Sequence, residues 1–248
     1  MAARPVIASI VDSGLLVELR TLTTSGSFSG DLCRCDGDLT LTLHDAGDAL
    51  IGSATLHPTA VSWERERFAN DLDISHSSSL HLLLARAGIN GASNRILGEL
   101  LTVSGLHEGE QQFRPADDAE ALVAHRVPAP LAEALSKVSG DAAGQLDQES
   151  VRRLTRRLVE SEGDTRAVRQ LFAWLGTATW PTEAISGDGQ LVRRMLDGLE
   201  PAVVERTLHE LSTPSEVMGA VAWAAFLEED AGVIGIIEPA IRRHLTKS

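Results

Sequence analysis

Ala167-Val168-Arg169-Gln170-Leu171-Phe172-Ala173-Trp174-Leu175 lies inside the longer run Asp164–Leu211. Its apolar side chains Val168, Leu171, Phe172 and Leu175 fall at i, i+3, i+4 and i+7, one stripe of a helix. Leu191, Val192, Met195, Leu196 and Leu199 repeat the pattern, and Val203, Val204, Thr207, Leu208 and Leu211 repeat it again. None of these helices can hide its stripe alone, so they must pack on one another.

Working outward toward the C-terminus, Thr213-Pro214-Ser215-Glu216 combines a capping box with proline at the first helical position. The helix it starts, Ser215–Leu227, is apolar nearly all round through Val217, Met218, Val221, Trp223, Phe226 and Leu227. A helix wetted on one side would not have that pattern, so it is expected to be the most buried one. Val233–Leu245 closes the chain, with a break or kink near Pro239. Toward the N-terminus, Asp147 caps a helix at Gln148–Glu160, and Ser139–Gln145 reads as a flexible loop. Asp117–His125 and Pro130–Val138 read as helices divided by Pro128 and Pro130. Helices joined by short links suggest an αα-hairpin stack, HEAT-like or bundled; no fixed repeat period is present.

The first part reads as β. Val6–Val11 and Leu15–Thr21 are apolar-rich runs separated by the turn signal Asp12-Ser13-Gly14, and Phe28–Cys35 follows a Thr/Ser/Gly loop. Leu39-Thr40-Leu41-Thr42-Leu43 alternates strictly, turns at Asp45-Ala46-Gly47-Asp48, and returns through Leu50–Leu56. Thr59–Glu64 adds one more strand. Ser77-Ser78-Ser79 offers N-cap choices for a helix at Leu80–Ala87 ended by Gly88, and Ser93–Leu101 is a further short helix. The expectation is an α+β chain. A mostly antiparallel sheet of about five or six strands with one or two short helices occupies 1–107, and an all-helical domain occupies 117–248. The boundary falls within the polar stretch Val103–Pro115.

Composition narrows the function classes. With 43% hydrophobic and 23% charged residues the 248-residue chain has the balance of a globular protein. It has no tyrosine, which excludes a phenol as acid, base or nucleophile. The net charge is −13, spread over both halves, so nucleic-acid binding is disfavoured and a protein partner of basic character is favoured. No apolar run approaches the length of about 18 residues that spans a bilayer, so no membrane partner is expected. The N-terminus has no signal-peptide pattern. Two cysteines make no disulfide framework, and a cytoplasmic, reducing setting is expected.

Cys33 and Cys35 sit two apart on the expected strand Phe28–Cys35, so both thiols would face one way. With two histidines they would suit zinc. Under a two-residue Ala46-Gly47 loop, His44 and His57 lie at opposite ends of the hairpin, roughly 26 Å apart, and do not complete one site together. Buried free cysteines or a minor redox role are the plainer expectation. Asp71-Leu72-Asp73-Ile74-Ser75 opens like a calcium loop but has His76 at the sixth position and Leu82 at the twelfth, so it reads as a polar turn. His57, Asp71, Asp73, His76 and Ser77 make a hydrolytic triad only on paper, because no Gly-x-Ser-x-Gly elbow accompanies them. No phosphate-loop or dinucleotide fingerprint is present, and no cofactor is expected. Arg152, Arg153, Arg156 and Arg157 form the one dense basic cluster: a grip for a phosphate or acidic partner, or a solvated face paired with Glu149, Glu160 and Glu162. Trp174 and Trp180 lie off or beyond the Val168 stripe and are either interface anchors or core.

The segment Ala167–Gly176, the Cys-x-Cys-x-Gly-Asp run at Cys33–Asp38, and the aliphatic helix ending Ala85-Arg86-Ala87-Gly88 resemble a group of uncharacterised proteins from GC-rich bacteria. The resemblance implies a shared two-part architecture and carries over no site residue. The leading expectation is a non-enzymatic interaction or accessory protein that docks through its helical half. The alternatives are a hydrolase or transferase with a site lined by His57, His76 or His81 between sheet and helices, and a metal or small-ligand sensor using Cys33 and Cys35.

Overall fold

The structure, a computed structural model, describes residues 8–33, 35, 37–64, 70–104, 127–138, 140–178, 187–225 and 231–245. The fold is α+β: a five-stranded antiparallel sheet near the N-terminus, then a helical region. The chain divides into two compact units, Met1–Ala87 and Gly88–Ser248. The division falls before the polar stretch Val103–Pro115 because the helix Asn90–Ser104 packs on helices of the second unit.

The first unit runs α1 (Ser13–Thr24), β1 (Gly26–Phe28), β2 (Leu39–His44), β3 (Leu50–Leu56), β4 (Ala60–Trp63), β5 (Leu72–Ile74) and α2 (Ser77–Arg86). The sheet order is β1-β5-β4-β3-β2, with every neighbouring pair antiparallel. Pleat alternation sorts its residues into two faces. Ala54, Leu56, Val61, Trp63, Leu72 and Ile74 share one face, with Leu39, Leu41 and Leu43 opposite Leu56, Ala54 and Gly52. Leu19 and Leu22 of α1 are buried, and Trp63 Nε1 donates to Thr23 O at 2.9 Å, so α1 lies on this apolar face. Thr55, Ser62 and Asp73 lie on the opposite, polar face.

Five expectations are corrected here. Leu15–Thr21 is helix rather than strand. Asp12 is not part of a turn between strands but the helix N-cap, its Oδ1 accepting from Leu15 N at 2.9 Å. Leu15, Leu19 and Leu22 then recur at helical spacing. The expected strand Phe28–Cys35 stops at Phe28, and residues 29–33 and 35 are in neither strand nor helix. Leu72–Ile74 is a strand rather than a turn, with Leu72 and Ile74 buried and Asp73 exposed. The β2–β3 hairpin is also longer at its tip than a two-residue loop. Asp45 Oδ1 accepts from the amides of Gly47 and Ala49 at 2.8 and 2.9 Å, and Asp48 adopts φ 65°. Thr40 therefore pairs with Thr55 rather than Ser53. At α2 the N-cap position is His76, and Ser77–Ser79 form the first turn instead.

The second unit comprises α3 (Asn90–Ser104), α4 (Ala129–Leu135), α5 (Gly140–Gly144), α6 (Gln148–Glu162), α7 (Asp164–Ala178), α8 (Gly187–Asp197), α9 (Pro201–Leu208), α10 (Pro214–Ala224) and α11 (Ala231–Leu245). The expected loop Ser139–Gln145 contains α5, which packs on α8. The expected helix Asp117–His125 lies outside the described residues, as do Trp180, Phe226 and Leu227. Pro239 sits inside α11, which continues through it.

Helix α10 is the centre of this unit, packed against α3, α7 and α11, and Ser215–Ala222 and Ala224 are buried. Its capping box forms as expected: Glu216 N donates to Thr213 Oγ1 at 3.3 Å and Thr213 N to Glu216 Oε2 at 3.0 Å. Arg169 of α7 reaches the same carboxylate, its Nε 3.0 Å from Oε1. Two glycines set the closeness of α7 and α10. A Cβ on Gly219 would stand 1.9 Å from Phe172 O, and one on Gly176 would stand 2.0 Å from Ser215 O. Beside them Phe172 meets Trp223 edge-on, ring centroids 5.7 Å apart.

Candidate functional site

The polar face of the sheet carries a buried chain of hydrogen bonds. Thr55 pairs with Ser62, and Val61 with Leu72. The same register sets His57, one residue beyond β3, and Asp71, one residue before β5, on the side of the sheet that Ser62 faces. Ser62 Oγ donates to Asp71 Oδ1 at 2.5 Å, and His57 Nε2 lies 2.8 Å from Ser62 Oγ. All three residues are buried, at 6%, 1% and 4% exposure for His57, Ser62 and Asp71.

Over this face pass residues 29–33, 35, 37 and 38. Ser29 N donates to Asp71 O at 2.9 Å, Gly30 N to Asn70 Oδ1 at 2.8 Å, and Asp71 N to Asp31 O at 2.8 Å. Cys33 N donates to Asp71 Oδ2 at 2.6 Å. At the far end Asp38 N donates to Leu56 O at 2.8 Å. Between these anchors Gly37 adopts φ +70°, and a Cβ there would stand 2.2 Å from Thr55 Cγ2 and 3.2 Å from His57 Cε1. Glycine is what lets the chain here lie flat on β3.

These residues include Cys33 and Cys35, which are joined as a disulfide with Cα atoms 5.4 Å apart. Both residues are exposed. This corrects the expectation of buried free thiols on a strand. Cys35 Sγ lies 3.3 Å from His57 Nδ1. The sulfurs and that ring nitrogen lie within 4.8 Å of one another. A closed circuit results: Cys35 sulfur, His57 imidazole, Ser62 hydroxyl, Asp71 carboxylate, Cys33 amide.

The circuit puts a proton on His57 Nε2. A carboxylate accepts only, so the Ser62 proton points to Asp71. Ser62 Oγ is then the acceptor for His57 Nε2–H, and Nδ1 is the ring nitrogen that faces Cys35 Sγ. The ring is aimed at the sulfur by groups the solvent does not reach.

A disulfide so placed is a poor staple. Closing a three-residue loop restrains the unfolded chain by only about 1.6 kcal/mol, about half the value for fifteen residues. Exposed disulfides are those that open and close in use.

Other candidates fare differently. His44 stays at the hairpin tip, its Nδ1 3.3 Å from Asp48 Oδ1, away from the cysteines. Asp71 and Asp73 do not form a calcium loop, since Asp71 is committed to Ser62 and Cys33. The triad of His57 and Asp71 with Ser77 does not form either. The serine between them is Ser62, whose buried hydroxyl is held by both and is not presented as a nucleophile. His81 is buried within α2. In the helical unit Trp174 is fully buried and belongs to the core rather than to an interface, because α7 packs against α8, α9 and α10 as well as α6. Arg152, Arg153, Arg156 and Arg157 are all exposed on α6. Arg157 pairs with Glu133 at 3.4 Å and Arg153 donates to Ser150 Oγ at 3.1 Å.

Ser62 was the residue sequence reasoning missed. Its signal was parity: in Ala60-Val61-Ser62-Trp63, position 62 falls on the face opposite Val61 and Trp63.

No helix among the described residues is long and apolar enough to cross a membrane. No protein family, curated protein or solved structure matches the chain.

Proposed function

We propose that the N-terminal unit is a thiol-based redox sensor, in which Cys33 and Cys35 alternate between disulfide and dithiol and His57 handles the proton at Cys35. The observation that carries this is the exposed Cys33–Cys35 pair with Cys35 Sγ 3.3 Å from His57 Nδ1, on a ring that the Ser62–Asp71 chain holds in place through Nε2. In the oxidative direction Nδ1 takes the Cys35 proton. The thiolate attacks a disulfide of the surroundings and expels one of its sulfurs, which leaves with a proton as a thiol. Cys33 then attacks Cys35 Sγ in the mixed disulfide, releasing the second thiol and closing the ring. Two thiols of this chain and one external disulfide become one internal disulfide and two external thiols. The test is thiol counting by alkylation and mass spectrometry across glutathione buffers of graded ratio. Two thiols per chain appearing together and vanishing reversibly is the expected result. A pair that stays closed in strong reductant, or never closes in oxidised glutathione, overturns the proposal.

For the helical unit by itself, docking of a protein partner remains the second proposal, supported by the exposed arginine face of α6. An acidic partner suits that face. Reversing Arg152 and Arg156 to Glu is expected to abolish binding of such a partner while leaving thermal stability within about 0.5 kcal/mol. Unchanged binding would remove this face from consideration.

A further inference from the structure

The same three side chains that make the redox centre also make a donor set. We propose that the reduced centre is a Zn2+ site, held by Cys33 Sγ, Cys35 Sγ and His57 Nδ1, and that zinc and the disulfide exclude each other. This rests on the redox proposal in one respect only: the pair has to open.

The geometry is close to what zinc requires. Tetrahedral zinc with Zn–S near 2.3 Å and Zn–N near 2.1 Å sets neighbouring donor atoms about 3.5–3.8 Å apart. Cys35 Sγ and His57 Nδ1 already stand at 3.3 Å, and all three donors fall within 4.8 Å of one another. The change required is to part the two sulfurs to about 3.8 Å and seat Cys33 Sγ at about 3.6 Å from Nδ1, which side-chain rotation of two exposed cysteines supplies. Two thiolates and an imidazole are a soft to borderline set, which selects zinc over calcium or magnesium.

The second layer of the site is already built. A zinc-bound histidine commonly donates its other ring N–H to an acceptor that fixes its tautomer and orientation. His57 Nε2 does this to Ser62 Oγ, which passes the hydrogen bond to Asp71. Asp71 also holds the Cys33 amide, so one buried carboxylate positions both the histidine and a cysteine ligand. Three protein donors leave one tetrahedral position for water or an exogenous ligand.

The chemistry balances. Zinc uptake by the dithiol releases two thiol protons. Oxidation by a small disulfide removes two electrons from the two thiolates, forms the Cys33–Cys35 bond, yields two reduced thiolates on the oxidant and frees the ion. The centre would thus hold zinc in reducing conditions and release it in oxidising ones.

The test uses the full chain reduced under argon and freed of reductant, with Zn2+ in competition with a chromophoric chelator and Co2+ as a spectroscopic substitute. Thiols are counted on the same sample. Expected are one Zn2+ per reduced chain, none per oxidised chain, and a Co2+ spectrum with thiolate charge-transfer and tetrahedral visible bands. Cys33→Ser is expected to abolish uptake, and Ser62→Ala to weaken it by about 10–100-fold. His44→Ala is expected to change nothing. The oxidised and reduced wild-type chains give the comparison without a variant that has to fold. Two countable thiols with no zinc uptake overturn the zinc site and leave the redox proposal standing. No thiols after reduction overturn both.

Discussion

Replacing Gly219 by Ala puts a methyl group where two helices touch backbone to backbone. The new Cβ would lie 1.9 Å from Phe172 O, 2.7 Å from Phe172 C and 2.9 Å from Gly176 N, against ordinary contact at 3.4–4 Å. None of those atoms is the end of a side chain that can swing away, so α7 and α10 have to part by about 1.5 Å. A gap of about 1 Å already forfeits up to half of a dispersion contact, and the pair includes the fully buried Phe172, Leu175, Val217 and Val221. The cost belongs at or above the upper end of overpacking, about 3–4 kcal/mol. Alanine's better helix propensity returns about 1 kcal/mol, leaving a net loss of about 2–3 kcal/mol. For a chain of this length that lowers Tm by about 5–10 °C. Gly235→Ala is the control: it lies in α11 with nothing within 4 Å of its Cβ and should raise stability by up to about 1 kcal/mol. Gly176→Ala should behave like Gly219→Ala, and the double variant should lose less than the two losses combined, since one separation relieves both clashes. Thermal unfolding followed by far-ultraviolet circular dichroism gives the answer. A Gly219→Ala chain as stable as wild type would refute the close crossing of α7 and α10.

Gly37→Ala acts on the thiol centre instead. Its Cβ meets Thr55 Cγ2 at 2.2 Å and Leu56 O at 3.0 Å from a backbone at φ +70°, so the chain there lifts from β3 and Cys35 loses His57. Zinc affinity of the reduced chain should fall at least about tenfold, in the range of other supporting-residue losses, and an unchanged affinity in chelator competition would show that Gly37 does not set the site. Glu216 gives a pH signature. Burial pushes its pKa up, but the Ser212 and Thr213 amides and the Arg169 guanidinium outweigh this and hold it below the usual glutamate range. A lowered folded value means that the stabilisation is complete above the unfolded pKa and is lost as pH falls through the folded one. Urea unfolding from pH 7 to pH 3 should therefore be steeper in pH for wild type than for Glu216→Gln; equal slopes would contradict the network.

The helical half was legible because its signals are local. Val168, Leu171, Phe172 and Leu175 mark one stripe within two turns, and Thr213-Pro214-Ser215-Glu216 encodes its own cap; all four stripe residues are buried and the capping box forms. The beginning was misread for the same reason of locality. Asp12-Ser13-Gly14 serves equally as a turn or as an N-cap followed by a first helical turn, and only the burial of Leu19 and Leu22 decides between them. β5 was missed because three residues are too few to show alternation, and its support comes from partners far away in sequence. Trp174 reads as off the stripe when the stripe is drawn for one neighbour; α7 has four. The thiol centre was half legible. Cys33 and Cys35 announce themselves by spacing, and His57 was weighed as a ligand. It was set aside because His44, the second histidine of the set, lies at the other end of the hairpin; the approach of Cys35 to His57 depends instead on Gly37 and on the hydrogen bond from Asp38 to Leu56. Ser62 and Asp71 join only through sheet register, which no single segment contains.

The central claim is that His57 Nδ1 serves Cys35 and not Cys33. It is tested most directly by the separate alkylation rates of the two cysteines in the reduced, metal-free chain at neutral pH, resolved by peptide mass spectrometry, in wild type and in His57→Gln. Cys35 should react faster than Cys33 in wild type, and the advantage should disappear in the variant while Cys33 is unaffected. Equal rates in wild type, or an advantage that survives the loss of the imidazole, would contradict it.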